Sequence, residues 1–178
     1  AHHPCRFSNT YRLYRRGWRG INIDPRPGVG RAFARRRPRD LTLEIGISPV
    51  AGDLTYFEFN EPACNTFDAI TARERDGQNG QRIVQTSVVH TRPLGHVLRE
   101  HAPGQRIDLL SVDVEGFDLA VLQTLDWSTH SPEVIAVEVH AFDPLHPEQA
   151  PVAELLSEKG YHLQAWVGPT TFWGKNRR

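Results

Sequence analysis

In the run LLSVDVEGFDLAVL, Leu109–Leu122, two carboxylates break an apolar strand pattern. Leu109, Leu110 and Val112 suit the inside of a sheet, Asp113 and Glu115 do not, and Gly116 follows at once, ahead of a segment with helical spacing. Two other strand-like segments end the same way. WRGINID (Trp18–Asp24) closes on Asp24, and EVIAVEVH (Glu133–His140) closes on Glu138 and His140, which strand alternation puts on one face. In an open α/β sheet, ligands bind in the crevice beyond the carboxyl ends of the strands, where side chains escape the packed sheet yet are held rigidly. Acids and an imidazole gathered there can take a proton from a substrate, steady a cation, or hold a divalent metal.

Each residue also has a plainer role open to it. Asp24 precedes Pro25 and fits an ordinary turn, and Asp118 sits where a helix cap belongs. His140 alone could be a structural histidine. Three such strand ends in one chain of 178 residues tip the reading toward a site. His90, His96, His101, His130, His146 and His162 form no HxxxH-type metal spacing, and Cys5 and Cys64 suggest neither a disulfide framework nor a zinc site. GVGRAF (Gly28–Phe33) begins like the dinucleotide pattern G-x-G-x-x-G, but its sixth position is Phe33 and the preceding strand has already ended at Asp24.

The elements that must position these groups alternate along the chain. Ser8 or Asn9 is expected to cap a short helix carrying Tyr11, Leu13 and Tyr14, closed by Gly17; Trp18–Asp24 follows as a strand. Pro27 opens a second helix that Pro38 stops. Leu41–Ser48 reads as one alternating strand, with Leu54–Phe59 as its hairpin partner. Residues 60–82 show no period and read as a long connection, in which Asn60, Glu61, Asn65 and Thr66 could line an acceptor or simply lie on the surface. Arg82–His90 is the next strand; Leu94, Val97, Leu98 and His101 mark a helix. A strand into Asp113, a helix striped by Phe117, Val121, Leu122 and Leu125, the strand Glu133–His140, a helix from Pro151 and a closing antiparallel pair complete the chain. Strands alternating with helices define an α/β domain with a largely parallel sheet, expected as one domain over residues 1–178.

Composition is that of a globular protein, with 39% hydrophobic and 24% charged residues. The net charge of zero is unevenly spread: residues 1–40 hold eleven Arg against Asp24 and Asp40. Those arginines are scattered over several elements, which favours solvated helix faces over a nucleic-acid patch. No apolar run reaches the length of a membrane span and no signal-peptide pattern opens the chain, so a cytoplasmic protein is the expectation.

The blocks AHHPCRFSNTYRLYRRGWRGINIDPRPG, IDLLSVDVEGFDLAVL and PEVIAVEVH, in that order, resemble the FkbM-family methyltransferases over nearly the whole chain. The resemblance implies a Rossmann-like class I fold, a sheet with flanking helices, and S-adenosyl-L-methionine (SAM) as cofactor. It further implies that the loop of Ala1, His2 and His3 lies beside the methionine part of SAM, and that Ser8 and Asn9 open a helix whose N–H groups receive its carboxylate. Asp24 would accept from the ribose hydroxyls, Ser48 would lie near the adenine, and Asp113 would face both the sulfonium and the acceptor. For a hydroxyl acceptor the candidate bases are His140, Asp113 and Glu115. A divalent metal is left open, and no metal ligand is assigned.

One departure bears on the fold. The family's apolar first strand with its Gly-containing turn is absent before AHHP, so the expectation is an N-terminally truncated sheet lacking its middle strand. Such a chain should bind SAM weakly, and tight binding in a calorimeter would overturn that. The expected function is O-methylation of a hydroxyl on a sugar, glycan or small metabolite. The alternatives are a non-catalytic nucleotide- or SAM-binding module, or a metal-dependent hydrolase built from Asp113, Glu115, Glu138 and His140. The last requires at least three of those four to converge at metal-ligand distances.

Overall fold

The computed structural model describes residues 3–175, which fall into two compact units divided between Arg92 and Pro93. Each is mixed α/β; together they carry three sheets with flanking helices.

The first unit begins with α1 (Tyr11–Arg15), β1 (Ile21–Ile23), α2 (Val29–Arg36) and β2 (Leu41–Leu43). β1 and β2 run parallel, with Ile21 opposite Leu41 and Ile23 opposite Leu43. The cap of α1 is Thr10 rather than the expected Ser8 or Asn9. The reason lies in Arg37, whose buried guanidinium donates to both the Ser8 and Thr10 hydroxyls, at 3.3 and 3.0 Å. The same Arg37 meets Asp40 at 2.7 Å through Nε, and Asp40 in turn accepts from the Gly20 N–H and the Asn22 amide. A guanidinium enters a core only when its donors are met, and here hydroxyls, a carboxylate and the Tyr14 and Phe33 rings surround it. Arg37 is therefore not one of the solvated arginines that its sequence neighbourhood suggests.

The expected continuous strand Leu41–Ser48 is broken in two. After β2 the chain turns at Glu44 and re-enters as β3 (Gly46–Ile47), which belongs to another sheet. Glu44 explains the break: its carboxylate accepts the N–H groups of Gly28 and Gly30 at 2.9 Å each, so it is drawn toward the start of α2 instead of continuing the ladder. Gly46 is required where the chain resumes, because a Cβ there would stand 2.7 Å from both Phe67 and Thr91.

β4 (Gly52–Phe59) is not the hairpin partner of Leu41–Ser48. It pairs antiparallel with β5 (Ile83–Arg92), and β3 joins β5 in parallel, giving the order β3-β5-β4. The intervening residues are more ordered than their lack of period suggests. They form a 3₁₀ turn at Pro62–Cys64 and a helix, α3 (Ala69–Arg75), whose cap Asp68 accepts from the Ile70 and Thr71 N–H groups. Those bonds and the Thr71 hydroxyl hold the Asp68 carboxyl below its usual range.

The second unit contains α4 (Leu94–His101), β6 (Leu109–Val112), α5 (Asp118–Gln123), β7 (Val134–Glu138), α6 (Pro151–Glu158), β8 (Tyr161–Val167) and β9 (Thr170–Lys175). The sheet order is β6-β7-β9-β8, with β6 and β7 parallel and β9 antiparallel to both neighbours. Leu122, Ile135, Val137 and Leu156 are fully buried, each stabilising the fold by about 1.5–3 kcal/mol over an exposed position. A parallel pair needs a crossover, and α5 provides it, so the turn between β6 and α5 is fixed at both ends by core packing. Among the described residues no helix is long and apolar enough to cross a membrane.

Candidate active site

The register of β6 on β7 decides which side chains meet in the second unit. Val112 pairs with Val137, so Asp113 and Glu138 are the next residues on two neighbouring parallel strands. Burial, followed by the charges of Asp113 and Glu115 and a hydrogen bond with Asp113, pushes the Glu138 carboxyl up to about 8. Asp113 and His140 are exposed, while Glu115 and Glu138 are half-buried. One ligand atom each from Glu115, Glu138 and His140 lies within 4.8 Å of the others, with His140 Nε2 3.9 Å from Glu138 Oε2.

Two left-handed residues flank this group. Glu115 has φ of 51° and Ala141, directly after His140, has φ of 54°. A non-glycine residue held there costs roughly 1–2 kcal/mol, and surrounding structure must impose it. For Glu115 the imposing group is Asp118. Its carboxylate accepts the N–H groups of Val114 at 3.2 Å and Gly116 at 3.4 Å, fastening the turn from both sides of Glu115. The helix cap proper is Phe117, so Asp118 is not the simple cap its position suggests; it is a positioning residue for the carboxylate turn. Burial, opposed by those N–H bonds and aided by the Asp113 charge, pushes its carboxyl up to about 6.

In the first unit Asp24 follows β1 and is buried, its backbone N–H held by the Leu43 carbonyl. Arg26 meets it closely: the backbone N–H and Nε reach Oδ1 at 2.9 and 3.1 Å, and an Nη reaches Oδ2 at 3.3 Å. The Asp24 charge is thus compensated inside the unit. Tyr56, from β4, lies close enough that burial and then the Asp24 charge push its phenol up, against a hydrogen bond with Asn65. Tyr56 gives no signal in the sequence, because a tyrosine at an inward strand position reads as core. Asn65 lies in the aperiodic segment named above and accepts the Phe59 N–H at 2.8 Å.

The other cofactor-side residues are placed as follows. His2 lies outside the described residues. His3 is exposed and its Nδ1 accepts from the Cys5 and Arg6 N–H groups. Ser8 faces Arg37, and Asn9 is exposed. Ser48 is buried, with its hydroxyl 2.5 Å from the Val50 carbonyl and 2.8 Å from the Thr91 hydroxyl. In GVGRAF the glycine N–H groups serve the Glu44 carboxylate, an internal anion where a dinucleotide fingerprint would hold a phosphate.

Acid-tipped strands in mixed α/β units, with crossover helices behind them, define a class of proteins that act on small ligands at strand ends. The comparisons narrow the class. The family model described as the methyltransferase FkbM domain matches residues 1–163, and the chain belongs to that family. It is also similar to "Methyltransferase sdnD" of Sordaria araneosa, 32% identical over 143 aligned residues, which cover 68% of this chain and 53% of that protein. The chain spans about half the length of that curated relative. No solved structure matches it. The family is one of methyltransferases, which generally use SAM. The grouping of Glu115, Glu138 and His140 that a metal-dependent hydrolase would require is present, but the family sets hydrolysis aside.

Proposed function

We propose that this chain is a SAM-dependent methyltransferase that methylates a hydroxyl of a sugar, glycan or small metabolite, working as one functional domain. The observation that carries the reading is the pair Asp113 and Glu138 at the ends of adjoining parallel strands, with Glu115 and His140 beside them. When bound, SAM supplies an activated methyl group on a sulfonium, which leaves with its bonding electron pair staying on sulfur. The residues suit that cofactor: Asp24 is an acceptor placed after a strand, as a ribose diol requires, and Asp113 is an exposed carboxylate, as a sulfonium favours.

Asp24 accepts from the ribose hydroxyls, with Arg26 fixing the carboxylate plane. A hydrogen bond with Glu138 on the adjoining strand orients Asp113. The acceptor's hydroxyl proton passes to Asp113 or His140, both of which face solvent and can release it there. Most of the rate gain comes from holding the acceptor oxygen in line, since displacement at a methyl carbon needs little other assistance.

The test is a SAM titration by calorimetry into the millimolar range, on the chain and on Asp24→Asn. A hydrogen bond to a charged group is worth about 1.5–3 kcal/mol, so the variant should bind SAM about 10–100-fold more weakly, with a melting curve showing that it is folded at the titration temperature. Equal affinity for the two proteins would remove Asp24 from the cofactor site.

A further inference from the structure

We propose that Glu115, Glu138 and His140 form a binding site for one divalent cation of borderline hardness, Mn²⁺ being the natural probe. Two observations meet here. The first is the grouping itself, two carboxylates and an imidazole whose ligand atoms lie within 4.8 Å of one another. The second is independent of it: Glu138 Oε2 is shut off from solvent and has no hydrogen-bond donor among the described residues. A carboxylate oxygen in that position loses its hydration without replacement, at about 1–3 kcal/mol or more. His140 Nε2 stands 3.9 Å from it, too far for a hydrogen bond. A cation seated between the two atoms would satisfy the oxygen and the imidazole together.

The geometry needs little adjustment. Two ligands about 2.1 Å from a metal stand roughly 3 Å apart when adjacent and about 4.2 Å apart when opposite. The 3.9 Å between His140 and Glu138 lies inside that range, and the bound of 4.8 Å on all three ligand atoms lies slightly beyond it. His140 has 58% of its side chain exposed, so its ring can turn toward the two carboxylates without disturbing the core. The ligand set chooses among metals. An imidazole with two carboxylates suits Mn²⁺, Fe²⁺, Co²⁺ or Zn²⁺ better than Mg²⁺ or Ca²⁺, which prefer oxygen alone. With three protein ligands, positions stay open for water or an acceptor hydroxyl, whose pKa the cation would lower. Binding of the cation is independent of the methyl-transfer reading, whereas that use of it rests on the reading.

The experiment is a Mn²⁺ titration of the chelator-treated protein without SAM, following the free Mn²⁺ signal by electron paramagnetic resonance. The expected result is one ion per chain, bound at least about tenfold more weakly by His140→Ala and by Glu138→Gln. His140 is exposed, so its variant tests the site even where Glu138→Gln folds poorly. Silence up to millimolar Mn²⁺ overturns the proposal, and so does binding that both variants keep intact; a proton on Glu138 then resolves the buried oxygen instead. A parallel SAM titration in chelator keeps the two readings apart. SAM binding without Mn²⁺ binding sinks the metal site alone, and the reverse sinks the cofactor reading alone.

Discussion

The two units hold the acids at their strand ends and turns in opposite ways. In residues 3–92 each is met by a positive or donor group close by: Asp24 by Arg26, Asp40 by Arg37, Gly20 and Asn22, and Glu44 by two glycine N–H groups. In residues 93–175 Asp113, Glu115, Asp118 and Glu138 push on one another, and two of them are raised to about 6 and about 8. Compensated charge is what a framework needs, since an ion pair with all donors met is locked in place. Crowded carboxylates gain the fold nothing, and their persistence points to work done on something other than the chain. The difference predicts where substitutions will register first: in stability at Arg37 and Asp40 of the first unit, and in turnover at Asp113 of the second.

The largest effect should come from Asp113→Asn. Removing a group that takes part in proton transfer typically lowers the rate by about 10²–10⁴. The side chain is exposed, so the melting temperature should stay within a few degrees. The assay is release of S-adenosylhomocysteine with whichever acceptor a panel of hydroxyl compounds identifies. A variant that turns over normally would erase the contrast by making Asp113 one more structural acid.

The mirror experiment belongs to the first unit. Arg37→Met keeps the bulk of the side chain but strands Asp40 and the two hydroxyls it served. Breaking a buried pair from one side costs about 3–5 kcal/mol. Urea unfolding should show a midpoint displaced accordingly, with the double change Arg37→Met plus Asp40→Asn recovering part of it. If the single variant unfolds like the parent, the ion pair is not holding β1 against β2.

The same contrast explains what could be read from the sequence. The strand ends at Asp24, Asp113 and Glu138 were legible because a carboxylate after an apolar run violates the pattern that surrounds it. The second unit followed its periodicity closely, helix for helix and strand for strand, because its elements are amphipathic and its turns are short. The first unit did not. Glu44 turned a single strand into β2 and β3 through hydrogen bonds to residues 14 and 16 positions earlier, a pairing that no local window contains. β4 found β5 across an aperiodic segment for the same reason: pairing is decided by the sheet, and adjacency in sequence is only its commonest outcome. Arg37 and Asp118 were misplaced by averages, since an arginine in a basic run is usually solvated and an aspartate before a helix usually caps it. Tyr56 gave no signal at all.

Asp118 offers the finest test of the comparison, because it is a buried acid whose charge the fold tolerates poorly. Its carboxyl titrates near 6 when folded and near 3.8 in the unfolded chain, so the folded state binds the proton more tightly. The contribution to stability is complete below about pH 3.8 and is lost as pH rises through about 6. Above that the ionised group weighs against folding by up to about 3 kcal/mol. Asp118→Asn removes the charge while its amide oxygen still accepts one of the two N–H groups at Val114 and Gly116. The lost N–H bond costs the variant about 1 kcal/mol at low pH, and removal of the charge offsets this increasingly as pH rises. That pH dependence is the signature: relative to the parent, the variant should gain melting temperature between pH 4 and pH 7 and level off above. A difference that stays flat across that range would mean that Asp118 is solvated like the acids of the surface, and that the turn holding Glu115 is fastened by something else.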